Sequence, residues 1–64
     1  MRAYMKGCVF YTNGTSKPVM SPIPEDREPD DYIDEVRETW SNCMDEYKLQ
    51  GFLIGVVWSN DTDN

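Results

Sequence analysis

Aromatic and β-preferring side chains crowd the start of the chain, an apolar stripe of helical period runs through its middle, and a nearly unbroken apolar run lies close to its end. Residues 2–12 read as a strand, because such side chains fit a pleated, half-buried surface. Asn13-Gly14 follows. The pair accepts positive φ at both central positions and predicts a type I′ hairpin turn. Residues 15–20 then return as a second strand, which Pro18 confines to a sheet edge because it has no N–H to give a ladder. Residues 21–29 form a connector in which Pro22, Pro24 and Pro29 each oppose a helix on their N-terminal side.

Ile33, Val36, Trp40, Cys43, Met44 and Tyr47 recur at steps of three and four, with Tyr32 on the margin. This spacing predicts one amphipathic helix over residues 29–50. Pro29 suits its first turn, and Asp30, Asp31 and Asp34 suit the positive end of its dipole. Lys48 lies near the negative end, and Gly51 is the expected stop. Residues 52–59 read as a third strand, apolar on both faces, with Gly55 marking a bulge or a close backbone approach. One domain over residues 1–58 is expected, with a frayed polar tail at 59–64.

The order is ββαβ, an α+β fold with the helix packed on one face of a three-stranded antiparallel sheet. A right-handed crossover from the second to the third strand puts the first in the middle. One helix covers one face only. Yet Tyr4, Lys6, Cys8 and Phe10 alternate with Ala3, Met5, Gly7, Val9 and Tyr11, and both sets are substantially apolar. Apolar sheet is therefore left over. The third strand, with Phe52, Ile54, Val56 and Trp58 on one side, is expected to offer an edge for a homodimer or a partner protein.

Composition sharpens the picture in two ways. At 39% hydrophobic and 12% aromatic residues, the 64-residue chain is too apolar for a disordered segment. A chain this short buries only about 60% of its unfolded surface, so its stability margin is thin. No apolar run is long enough for a membrane span and no leader pattern opens the chain, which makes the cytoplasm the default location. Cys8 and Cys43 are too few for a disulfide scaffold and read as free thiols in apolar surroundings; a bridge between them requires an exported chain.

Charge is unevenly placed. Residues 1–24 carry Arg2, Lys6 and Lys17 and no acid, whereas residues 25–46 carry ten of the twelve acids against Arg27 and Arg37. That is the reverse of a direct nucleic-acid binder, and an anionic membrane would repel the middle segment.

The candidate chemistry is correspondingly narrow. Histidine is absent, which removes Ser/His/Asp and Cys/His constellations and the usual zinc ligands. No phosphate-binding glycine loop or cofactor motif is present. Solvated carboxylates stay ionised and make poor general acids, so no catalytic residue, metal site or cofactor is expected. The plainer reading of the acidic helix face is a solvated surface that keeps a small protein dispersed. Against it, the acids are almost unrelieved by basic residues at i,i+4, an arrangement that costs helix stability. From Asp31 to Asp45 an unbroken helix spans about 21 Å, with a carboxylate at every turn, loosely like the phosphates of a nucleic-acid strand.

These features lead to the expectation of a non-enzymatic inhibitor in a bacterial cytoplasm, docking on a host nucleic-acid-binding protein. Asp31, Asp34, Glu35, Glu38, Asp45 and Glu46 would supply electrostatic recognition, with Tyr32 and Tyr47 as flanking anchors. In size, acidity and lack of catalytic groups the chain resembles bacteriophage-encoded nucleic-acid mimics, including anti-CRISPR and anti-restriction proteins; the likeness is of kind, and no motif carries it. The alternative is a homodimeric adaptor that associates through its apolar sheet face or through the edge strand.

Overall fold

The computed structural model describes residues 1–60. Three antiparallel strands form one sheet: β1 (Arg2–Tyr11), β2 (Ser16–Pro22) and β3 (Leu49–Ser59). Their order is β2-β1-β3, so the first strand is central, as expected. Between β2 and β3 run helix α1 (Pro29–Asn42) and a single further turn, α2 (Met44–Tyr47). The fold is ββαβ, a sheet with helix on one face. The expected tail lies outside the described residues from position 61 onward. No helix among the described residues is long and apolar enough to cross a membrane.

The hairpin differs from the expected two-residue turn. Gly14 alone adopts positive φ, at 90°, while Asn13 does not. The Gly14 N–H donates to Tyr11 O and the Tyr11 N–H to Thr15 O, which closes a three-residue loop, Thr12-Asn13-Gly14. The Asn13 side chain takes over the second turn contact, accepting from the Thr15 N–H at 3.0 Å and the Thr15 hydroxyl at 2.6 Å.

The helix is shorter than its stripe. Pro29 starts it, with Asp30 and Asp31 in the first turn. It ends at Asn42, where the Cys43 N–H reaches back three residues to Trp40 O. Ser41, Asn42 and Cys43 are weak helix formers and resist the break little. The stop is Lys48 in the left-handed region, φ 58° and ψ 41°, rather than Gly51. From there the chain enters β3 at Leu49, three residues earlier than the apolar run suggests.

The register explains the layers. Ala3, Met5, Gly7 and Val9 lie opposite Trp58, Val56, Ile54 and Phe52 and share the helix-facing side. Ala3, Met5, Ile23, Ile33 and Ile54 form the buried cluster, with Val19, Tyr32, Val36, Trp40, Phe52 and Val56 packed around it. Trp40 meets Phe52 edge-on, ring centroids 5.4 Å apart at 87°. The most deeply buried side chain is Ile23, at 2% exposure. It lies in the connector, and its N–H extends the sheet by donating to Ala3 O.

Two irregularities shape the sheet. Phe10 pairs with Gly51 and Tyr11 with Leu49, which leaves Gln50 as the extra residue of a bulge. The close backbone approach is at Gly7, where a Cβ would lie 1.8 Å from the Leu53 carbonyl oxygen. Gly55 serves neither purpose, since open space surrounds its Cβ direction. Gly7→Ala is therefore expected to lower stability by about 3 kcal/mol or to prevent folding, because backbone must move. Gly55→Ala should be nearly neutral. Urea unfolding followed by tryptophan fluorescence distinguishes the two, and equal tolerance at both positions would contradict the register.

Candidate functional site

The acidic surface is built on α1 and on the connector that precedes it. Residues 25–46 hold ten carboxylates and two guanidinium groups, a formal charge of −8. Asp31, Asp34, Glu35 and Glu38 are all exposed on α1. Their spacing of three and four residues puts them on one side of the helix, with Cβ atoms about 5–6 Å apart. Asp45 and Glu46 are exposed too, but the break at Cys43 moves them onto α2. The expected straight row of about 21 Å is thus two segments, and the part on α1 ends with Glu38.

Both arginines of this segment are exposed but engaged by neighbouring groups. Arg27 donates to Glu35 at 2.6 Å and lies over the Tyr32 ring, 5.5 Å from its centroid. The Glu35 hydrogen bond, followed by its charge, holds the Arg27 guanidinium above its ordinary pKa. Arg37 bonds Asp34 at 3.4 Å and donates to the Ile54 carbonyl of β3 at 2.9 Å. Asp34 and Glu35 therefore have basic partners. For Asp31, Glu38, Asp45 and Glu46, no ion pair occurs among the described residues. Asp30 adds to the surface in the first turn of α1, and Glu25, Asp26 and Glu28 extend it onto the connector. Sequence reasoning left them out of the site because a connector's position against a helix is tertiary; here Ile23 pins it. Glu25 meets Arg2 at 3.8 Å.

The two tyrosines separate. Tyr32 is half-buried, packs on the core and carries Arg27 over its ring. Tyr47 is 49% exposed and lies away from α1's acids, in the wall of an open groove of about 590 Å³ between the helical layer and β2. Val9, Val19, Trp40 and Leu49 line that groove, with Lys17 as its cation. Among the described residues, no three carboxylates or cysteines converge as a metal site would require. Cys8 and Cys43 are free thiols, one on the sheet and one at the helix corner.

β3 is an edge strand, and of its four expected contact residues three turn toward the helix. Ile54 is buried, and Phe52 and Val56 are packed against the core beneath the helix. Trp58, on the same side, projects past the helix and is 59% exposed. The side of the sheet away from the helix carries Tyr4, Lys6, Cys8 and Phe10 of β1, Met20 of β2, and Leu53 and Val57 of β3. A one-residue change in parity decides this, since successive strand residues point to opposite faces.

The chain matches no protein-family model, and no curated protein or solved structure is significantly similar to it.

Arg37 joins the acidic helix to the edge strand, so Arg37→Met should cost about 1 kcal/mol, the net worth of a half-exposed charged hydrogen bond. Thermal and urea unfolding read this directly. An unchanged midpoint would mean that the Ile54 carbonyl is equally well satisfied by water.

Proposed function

We propose that this chain is a small protein-binding inhibitor that lays its acidic helix face into the basic groove of a nucleic-acid-handling protein, in the manner of a phage-encoded nucleic-acid mimic acting in a bacterial cytoplasm. The observation that carries this reading is the segregation of charge. The three strands contain no Asp or Glu, while the connector and helix present an exposed surface of net charge −8. A solvated face serving dispersal alone has no need of such one-sidedness, and like charges at helical spacing cost stability that basic residues between them would restore. A groove built for a phosphate backbone offers the complementary potential, which steers encounter and fixes register. The carboxylates of the connector and of α1 are exposed, where a partner's cations can reach them.

Asp31 and Glu38 are the positions to test, because neither has an ion-pair partner among the described residues, whereas Glu35 holds Arg27 and Asp34 holds Arg37. In a tagged pull-down from bacterial lysate, a nucleic-acid-binding protein should be retained at low salt. It should elute as the screening length falls from about 8 Å toward about 3 Å at 1 M. The Asp31→Lys/Glu38→Lys double variant should keep the parent's melting temperature within a few degrees and lose the captured protein. Retention of the same protein by the reversed variant would reduce the acidic face to a solvated one.

A further inference from the structure

We propose that two copies of this chain associate face to face through the open side of the sheet, with both acidic helices turned outward. Lys6 aside, that side is largely apolar over all three strands. Leu53 is 69% exposed, Met20 57% and Phe10 39%, and Tyr4, Cys8 and Val57 lie between them. Exposed apolar patches of this kind mark association surfaces in otherwise polar monomers.

A second copy fits this face because the acids that would make two copies repel lie in the other layer. Each chain carries −6, so two copies repel unless their acids are kept apart. The strands are free of Asp and Glu, and every acid of residues 25–46 belongs to the connector or the helical layer. Sheet-to-sheet contact is therefore the arrangement that brings apolar surface together while holding the two acidic layers farthest apart. Packed sheets sit about 10 Å apart, and the helices then form the outer layers.

The sheet edges do not compete. β2 contains Pro18 and Pro22, which cannot donate to a further strand. On β3, Arg37 occupies the Ile54 carbonyl from the helix side. Both edges carry the kind of feature that blunts edge-to-edge pairing.

Size sets the strength. At strand spacings of about 4.8 Å and rises of about 3.4 Å per residue, the sheet offers roughly 450 Å² of flat area per copy. With side-chain relief, two copies bury on the order of 1,000 Å², just under the roughly 1,200 Å² at which stable specific interfaces begin. This predicts a reversible dimer, half-formed at micromolar concentration rather than obligate. Lys6 keeps it so. It lies at the middle of the central strand, opposite Gly55 and Met20. In the dimer its stem crosses the gap over Gly55 and its ammonium leaves at the rim. The dimer would be bivalent, with one acidic face on each side; that consequence rests on the inhibitor reading, while the dimer itself does not.

Sedimentation equilibrium on the full chain, from about 1 μM to about 300 μM, tests the interface. The mass should rise from 7.5 kDa toward twice that value, and the rise should come at lower concentration in high salt, where like charges are screened. This is the opposite salt response to that of the acidic face. Leu53→Glu should stay monomeric throughout with an unchanged circular dichroism spectrum, since the side chain is largely exposed in the monomer. Lys6→Met should dimerise at roughly tenfold lower concentration. Asp31→Lys/Glu38→Lys should dimerise at least as well as the parent, which separates this interface from partner binding. A parent that stays monomeric at the highest concentration, or a Leu53→Glu variant that dimerises like the parent, would overturn the proposal.

Discussion

One helix must close the core of a three-stranded sheet, and the rest of the molecule follows from that limit. An α-helix with its side chains is about 10–12 Å across, and three strands span a comparable width. Fourteen residues of α1 can therefore seal one face and nothing more. The buried cluster of Ala3, Met5, Ile23, Ile33 and Ile54 is correspondingly small, and it takes one residue from a connector to complete it. The other face of the same strands keeps its apolar side chains in water. A chain of this size has few ways to add a second layer, and association is the simplest.

Within that limit the packing is close where it has to be. Gly7 lets the backbone of β1 run against that of β3, a contact that any Cβ would block. The bulge at Gln50 and the left-handed Lys48 then bring the chain out of α2 and into the sheet without a loop. Arg37 ties the helix to the β3 edge through the Ile54 carbonyl, and Arg27 ties the connector to the helix through Glu35 and Tyr32. The two cations of the acidic segment thus act as local clips. Both cations are taken up by Glu35 and Asp34, which leaves Asp31, Glu38, Asp45 and Glu46 without an ion pair among the described residues.

The result is a molecule with two unlike sides: a helical layer that is acidic and wet, and a sheet face that is apolar and free of acids. Contacts made through the first would weaken with salt, and contacts made through the second would strengthen as like charges are screened. The two sides share no residues, so contact on one leaves the other accessible.

The hydrophobic pattern and the turn residues were enough to determine the element order, the central place of β1, the start of the helix at Pro29 and the acidic character of its outer side. Each depends on local periodicity or on chain handedness. Tertiary structure decided the rest. The stripe of Cys43, Met44 and Tyr47 continues at helical spacing, yet the helix breaks beneath it, because β3 must begin at Leu49 to bury that side chain and pair with Tyr11. Ile23 gives no periodic signal between two prolines, but it becomes the most buried residue once the connector folds back over Ala3. Both sides of β3 are apolar in sequence, so parity alone could not say whether Ile54 or Leu53 faces the helix. Register against β1 settles that question, since a shift of one residue exchanges the two faces.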